Sequence, residues 1–97
     1  MSVRSATVSS VNAATSSTEL FAAVEPNEVD MRTVYNDSSA ILYLKFGATA
    51  STSSFTVALQ ASDYYEFPRG RDGSVYCGVV EGIWASATGA ARLTEAV

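Results

Sequence analysis

At 97 residues the chain has room for one domain, 1–97, because a chain of this size buries roughly 60–70% of its unfolded surface in a single core. A hydrophobic share of 47% against a charged share of 16% excludes intrinsic disorder, which needs the opposite balance. The net charge of −4 and the scattered basic residues argue against nucleic-acid binding, which depends on clustered cations.

The chain contains one cysteine and no histidine. No internal disulfide can form, and Cys77, which lies in an apolar run, is interpreted as a small buried hydrophobe rather than a reactive thiol. The N-terminus lacks the apolar region of a signal peptide, and no apolar stretch approaches the ~18–20 residues of a membrane span. We therefore expect a protein that is made in a cytoplasm and has no membrane partner.

The first two predicted elements are weakly specified by their sequence. Alternation over residues 6–10 indicates a β-strand at a sheet edge, but the segment 1–17 would equally serve as an arm that becomes ordered on assembly. Residues 17–24 are predicted as a strand rather than a turn of helix, because Pro26 interrupts them so soon.

The central part of the chain predicts a β-hairpin. Its strands are residues 29–35 and 40–46, and the turn chemistry of residues 36–39 joins them. In the first strand, a period of two separates a dry face from a wet face. The dry face comprises Val29, Met31, Thr33 and Tyr35, and the wet face comprises Asp30 and Arg32. The second strand is nearly continuous in apolar residues, so we expect both of its faces to be covered.

Strands and turns alternate through the rest of the chain. After a bland loop at 48–54, strands are predicted at 55–60, at 63–67 before Pro68, at 75–84 and at 90–95, with turns at 69–73 and 86–89. Gly78 and Gly82 inside one strand predict a bulge or a close backbone approach. About seven to eight short strands at this spacing predict an all-β fold, a single-domain antiparallel β-sandwich or barrel.

The core of this domain is predicted from the inward positions of its apolar strands. It comprises Phe46, Phe55, Val57, Leu59, Phe67, Ile83 and Trp84, with Leu42 or its alternate neighbours Ile41 and Tyr43. Trp84 is the largest of these side chains, so we expect it to contribute most to the core.

The sequence offers no set of reacting groups with catalytic spacing. Without histidine the usual serine triad is impossible, and Lys45, the alternative base, lies in the middle of a predicted strand. The carboxylate pairs Asp63/Glu66 and Glu25/Glu28 are interpreted as solvated turn residues rather than as a glycosidase pair. No metal or cofactor site is predicted, and we expect that the protein is not an enzyme.

Aromatic side chains are the remaining candidates for a site. Such rings stack well on sugars, but for this chain packing in the core and at interfaces between subunits is favoured. The aromatic residues concerned are Tyr64, Tyr65, Phe67, Tyr76 and Trp84. The candidate residues for an interface or a ligand platform are Tyr64, Tyr65, Tyr76, Trp84, Arg69 and Arg71.

Four segments occur in a fixed order along the chain. They are Y-N-D-S-S-A-I-L-Y-L-K-F-G (35–47), S-F-T-V (54–57), Y-Y-E-F-P (64–68) and G-I-W-A-S-A-T-G-A-A-R-L-T-E (82–95). Together they resemble a group of small proteins encoded by tailed bacteriophages and prophages in virion structural modules. The resemblance spans residues 33–95 and implies a structural virion component without catalytic residues. The chain departs from the group at 26–32 and 69–77, which we expect to be loops that face a partner.

The resemblance implies a virion location after synthesis in the host bacterial cytoplasm. The leading expectation is a capsid decoration or cement protein, with the major capsid protein as partner. The alternatives are a tail, baseplate or fibre component among other tail proteins, and a carbohydrate-binding module for host attachment. We also expect a homo-oligomer, trimer ahead of dimer by analogy with virion proteins on three-fold axes, in which the segment 1–17 reaches onto a neighbour.

Overall fold

The computed structural model describes residues 5–26 and 28–97, and within them the chain forms eight β-strands and no helix. The strands are β1 (Ala6–Asn12), β2 (Thr18–Phe21), β3 (Met31–Asp37), β4 (Leu42–Phe46), β5 (Val57–Leu59), β6 (Tyr64–Glu66), β7 (Val80–Trp84) and β8 (Ala90–Ala96). The all-β prediction and its strand count are confirmed. None of the described residues belongs to a helix that could cross a membrane.

Two antiparallel sheets of four strands pack into a sandwich. Sheet A has the order β1-β8-β3-β6 and sheet B the order β2-β7-β4-β5. Only the β4–β5 connection stays within one sheet, and every other connection crosses between the sheets. This interleaving is the strand order of the eight-stranded jelly roll. The core lies between the sheets.

The first two strands settle the choices that the sequence left open. Within the segment 1–17, residues 6–12 form β1, which pairs with β8 of the same chain along its whole length. Residues 1–4 of that segment lie outside the described residues. β2 is a strand that pairs with β7, so the preference for a strand over a turn of helix is confirmed.

The predicted hairpin of residues 29–35 and 40–46 is wrong. β3 pairs with β6 and β8 in sheet A, whereas β4 pairs with β5 and β7 in sheet B. The side-chain amide of Asn36, fully buried, donates to the carbonyl oxygens of Ala40 (2.9 Å) and Leu59 (3.0 Å). These bonds hold the chain as it passes from one sheet to the other, so the turn chemistry serves a crossover instead of a hairpin.

The faces predicted for the first of these strands are wrong at Met31, Arg32 and Tyr35, whereas Val29 and Thr33, also assigned to the dry face, are buried as expected. Arg32, Val34 and Asn36 all point into the sandwich and have no exposed surface. Met31 and Tyr35, assigned to the dry face, lie on the outer side of sheet A, where Tyr35 is 37% exposed. The two polar side chains tolerate burial because each finds several hydrogen-bond partners there.

The predicted core is confirmed for four of its members. Leu42, Leu59, Phe67 and Trp84 are buried, and Leu42 is the inward choice over Ile41 and Tyr43. Phe46 and Val57 are half-buried and pack against this core.

Two predicted core residues are wrong. Ile83 lies between the buried Gly82 and Trp84 on β7, so strand alternation turns it to the outer face. Phe55 precedes β5, is 41% exposed and packs edge-on against Tyr43 at 5.1 Å between ring centroids. The outer face of β4 is therefore only half-buried, and not covered as expected.

Glycine is required within β7, where leucine side chains from β2 and β4 pack directly on the backbone. Gly82 lies within β7, and a Cβ there would stand 2.8 Å from Leu42 Cδ1 and 3.0 Å from Leu20 Cδ1. The predicted close approach is thus confirmed at Gly82, with leucine side chains packing on its backbone. Gly78 lies before β7 begins, in the segment that leads into the strand.

Gly89→Ala should destabilise the protein more than Gly73→Ala. Both glycines have positive φ, +90° and +83°, so either alanine carries left-handed strain of about 1–2 kcal/mol. A Cβ at Gly89 would also stand 2.5 Å from the Asp37 carbonyl oxygen, whereas none of the described atoms lies within 4 Å of one at Gly73. Urea unfolding of both variants measures the difference, and equal losses would contradict the prediction.

Candidate functional site

The residues predicted as a platform do not share one surface. Trp84 is 1% exposed, so it belongs to the core and offers nothing to a ligand or a partner. Tyr64 and Tyr65 are neighbours on β6, and strand alternation sends them to opposite faces. Tyr64 is 61% exposed on the outer side of sheet A, while Tyr65 turns inward.

The inward aromatic residues form one stacked cluster at an end of the sandwich. Phe46 is its centre, with Tyr76 stacked on it at 4.8 Å and 9° and Phe67 at 4.7 Å and 26°. Tyr65 packs at a tilt on both phenylalanine rings. The Tyr76 hydroxyl donates to the Val79 carbonyl oxygen at 3.0 Å. These contacts use the rings for packing, in line with the interpretation that favoured core and interface over a sugar platform.

Replacing Tyr65 with phenylalanine should make the free energy of unfolding fall less steeply as the pH rises in the alkaline range. Burial raises the pKa of the Tyr65 phenol, whose ordinary value is about 10. The unfolded chain therefore loses this proton first as the pH rises, so the contribution of Tyr65 is complete below about pH 10 and is lost as pH rises through the folded pKa. Unfolding free energies measured between pH 8 and 12 test this, and identical slopes for both proteins would contradict it.

The exposed aromatic surface consists of Tyr64 and a residue that the sequence analysis missed. Tyr35 on β3 lies directly opposite Tyr64 in the antiparallel register of sheet A, and both face outward. Arg92 on β8 lies opposite Tyr35 on its other side and bonds Asp37 at 3.0 Å. We call Tyr35, Tyr64, Arg92 and Asp37 the tyrosine face. The sequence analysis missed this surface because it assigned Tyr35 to the dry face of its strand. Only the register with Tyr64 reveals that Tyr35 is exposed.

The two segments that were expected to be loops facing a partner, 26–32 and 69–77, come together in space, although Met31 and Arg32 belong to β3. Residues of 26–30 and of 68–78 line one open groove of about 1120 Å³. Arg69 spans it, donating to the carbonyl oxygens of Asp30 (2.7 Å) and Gly73. Arg71 lies on the neighbouring turn, exposed, and has no hydrogen-bond partner among the described residues. The two predicted arginines therefore differ: Arg69 holds the groove together, and Arg71 presents its charge to solvent.

The groove is polar along one wall. The Ser74 hydroxyl, at 2.6 Å, and the Ser74 amide, at 3.0 Å, both donate to Asp72 and lower the pKa of its carboxyl group. Asp72 is thus an ionised hydrogen-bond acceptor that stiffens the 70–74 turn. Cys77 lines the same groove and is half-buried. Among the described residues, no three His, Cys, Asp or Glu side chains are placed to hold a metal ion. The side chains that line the groove can therefore contact both polar and apolar surface of a partner.

Arg32 fixes the shape of the groove from within. Its Nε donates to Glu95 Oε2 at 2.7 Å, and its Nη1 donates to the carbonyl oxygens of Gly78 (2.7 Å) and Tyr76 (3.0 Å). Its Nη2 donates to the Ala22 carbonyl oxygen at 2.8 Å. One buried guanidinium thereby ties the end of β2, the 76–78 segment and β8 together. Sequence reasoning placed Arg32 on a wet face, because none of these partners is near it in the chain.

Comparison with known proteins finds no relative: no family model, no curated protein and no solved structure matches the chain.

Proposed function

We propose that the protein is a non-enzymatic structural component of a tailed-bacteriophage particle, a decoration or cement protein that binds the assembled capsid shell in many copies. The observation that carries the proposal is the strand order of the two sheets, since jelly rolls occur in viral capsid domains, lectins and cupins. A fold alone does not decide among these uses. The resemblance to virion proteins favours a structural role in the phage particle.

The surface composition supports a function in which the protein is bound to other proteins. Only 16% of the residues are charged, against about 25% in ordinary soluble domains. Small uncharged side chains and the rings of Tyr35 and Tyr64 desolvate at low cost, and apolar burial contributes about 25 cal/mol per Å² before the costs of association. On a shell, many copies can bind side by side, so a modest contact area per copy suffices.

The tyrosine face is the docking surface that this proposal favours. Tyrosine is enriched at interface hot spots because it combines a large apolar ring with a polar tip. We expect Tyr64→Ala to weaken binding to shells that lack the protein by roughly tenfold or more. Phe55→Ala, which removes an exposed ring that packs on Tyr43 at the outer face of sheet B, is the matched control and should bind normally.

Quantitative mass spectrometry of purified particles tests the function directly. Hundreds of copies per particle are expected. A copy number that is a small multiple of three or six would instead favour a tail, baseplate or fibre component. Absence from the particle, or a copy number near one, would overturn the proposal.

A carbohydrate-binding role is the second candidate, because the exposed Tyr35 and Tyr64 lie side by side on a fold that lectins also use. In that case a glycan array should yield a binder, and Tyr64→Ala should abolish the signal and reduce adsorption to host cells. An array without a binder would dispose of this alternative and leave the structural role in place.

A further inference from the structure

The outer edge of β1 is the longest sheet edge that the described residues leave open. The sandwich has four edge strands, β1 and β6 in sheet A and β2 and β5 in sheet B. β1 has seven residues, whereas β2 has four and β5 and β6 have three each. Apart from its pairing with β8, β1 is almost entirely exposed.

Unlike the other edges, which are short or interrupted, β1 carries none of the usual protection against pairing. β2 is interrupted by a register shift between Glu19 and Phe21, and β6 ends in Glu66 shortly before Pro68. The β1 sequence, A-T-V-S-S-V-N, has no charge, proline or glycine, and its register with β8 is continuous. A long edge of this kind is a template for another strand.

The backbone groups that face outward from β1 follow from the ladder with β8. Ser5 and Val97 exchange both of their backbone hydrogen bonds, at 3.1 and 2.9 Å, and the Ala13 amide donates to the Gly89 carbonyl oxygen at 2.9 Å. In an antiparallel pair such bonding alternates along the strand, so odd-numbered residues bond β8. The residues with outward N–H and C=O groups are Ala6, Val8, Ser10 and Asn12.

We propose that two copies of the protein pair through β1, antiparallel about a two-fold axis that passes between the two Ser9 residues. In this register Ala6 lies opposite Asn12 of the second copy, and Val8 lies opposite Ser10. All four outward-facing residues of each copy then bond, giving four pairs with two hydrogen bonds each, eight in all. Sheet A becomes a continuous sheet of eight strands.

A second copy fits this edge because the edge is self-complementary. Both strands are uncharged, so no like charges meet across the axis, and each outward donor finds an acceptor. A shift of the register by two residues would leave one terminal residue of each strand unbonded. The pairing also shelters Val8, which is 72% exposed in the single chain. Since it closes after two copies, it predicts a dimer in place of the trimer that analogy favours, and it does not depend on the virion role.

Cysteine cross-linking tests the register, in a Cys77→Ala background that removes the native thiol. Ser9→Cys places two thiols in a non-hydrogen-bonded pair with Cα atoms about 4.5 Å apart, within reach of a disulfide. Ser10→Cys is the control, because its own counterpart lies diagonally at roughly 7–8 Å. Mild oxidation should convert the Ser9→Cys protein to a covalent dimer and leave the Ser10→Cys protein monomeric in a denaturing gel. Equal cross-linking of the two, or none with Ser9→Cys, would overturn the proposed pairing.

Sedimentation velocity tests the dimer itself. Wild-type protein should show a concentration-dependent dimer. Ser10→Pro removes an outward N–H without touching the ladder to β8, and the loss of two bonds per dimer should raise the dissociation constant about tenfold or more. Ser10→Ala is the control and should dimerise as the wild type does. A wild-type protein that stays monomeric up to millimolar concentration, or that forms trimers, would overturn the proposal.

Discussion

Replacing Trp84 with alanine is expected to lower the free energy of unfolding by about 3–5 kcal/mol, the usual loss for a large buried aromatic residue. Trp84 is 1% exposed at the centre of the sandwich, and its Nε1 donates to Asn36 Oδ1 at 3.2 Å. The substitution therefore leaves a cavity and also removes a hydrogen bond from a buried amide. Since domains of this size are stable by only about 5–15 kcal/mol, the variant should melt far below the wild type.

Chemical denaturation followed by circular dichroism measures this loss, because the chain contains a single tryptophan and the variant has no indole fluorescence. Tyr64→Ala is the matched control: it deletes a ring that is 61% exposed and should cost well under 1 kcal/mol. An unchanged midpoint for Trp84→Ala would show that the tryptophan is not a core residue. The stability loss for Trp84→Phe should lie between those for Trp84→Ala and Tyr64→Ala, since phenylalanine keeps an aromatic ring in the core but cannot donate to Asn36.

Replacing Arg32 with methionine is the second large effect, expected at about 3–5 kcal/mol. Methionine retains much of the side-chain volume but leaves Glu95 without its cation and the carbonyl oxygens of Ala22, Tyr76 and Gly78 without their donor. Glu95 is partly exposed, so water can solvate it, whereas the three carbonyl groups all lose the same fully buried donor. The variant should lose the connection between β2 and the 76–78 segment before the rest of the sandwich unfolds.

Arg92→Met provides the comparison for this prediction. Arg92 also bonds a carboxylate, Asp37 at 3.0 Å, but both partners are exposed, and such surface pairs contribute about 0–1 kcal/mol. Urea unfolding gives the two losses. Hydrogen exchange at the amide of Val24, which donates to the Cys77 carbonyl oxygen, should quicken in Arg32→Met and not in Arg92→Met. Equal losses for the two variants would contradict a special role for the buried arginine.

The same arginine shows why the candidate site was only partly predictable. Sequence periodicity identified a strand near residues 29–35, and the structure has β3 at Met31–Asp37. It placed Arg32 on the wrong face because a charged residue was taken to be wet, and it assigned Asn36 to a turn. Their partners, among them Glu95 and Leu59, lie 63 and 23 residues away in the chain. No local pattern carries that information.

The pairing partners of β3 and β4 could not be predicted from the sequence for a related reason. The turn chemistry at residues 36–39 is equally suited to a hairpin within one sheet and to a crossover between two sheets. In the structure, buried hydrogen bonds from Asn36 to Ala40 and Leu59 select the crossover. The same limit applies to the aromatic residues: Tyr64 and Tyr65 were grouped by proximity in sequence, but successive residues on a strand face opposite sides.

The sequence by itself determined that this protein is all-β, where its turns lie, and that Trp84, Leu59 and Phe67 are core residues. These properties depend on local alternation, on glycine and proline at turns, and on side-chain size, all of which short segments display. Only the tertiary structure decided which strands pair, which face of β3 is buried, and that Tyr35 joins Tyr64 on an exposed surface. Those properties depend on hydrogen bonds and packing between residues far apart in the chain, where a polar side chain becomes an inward one because distant partners satisfy it.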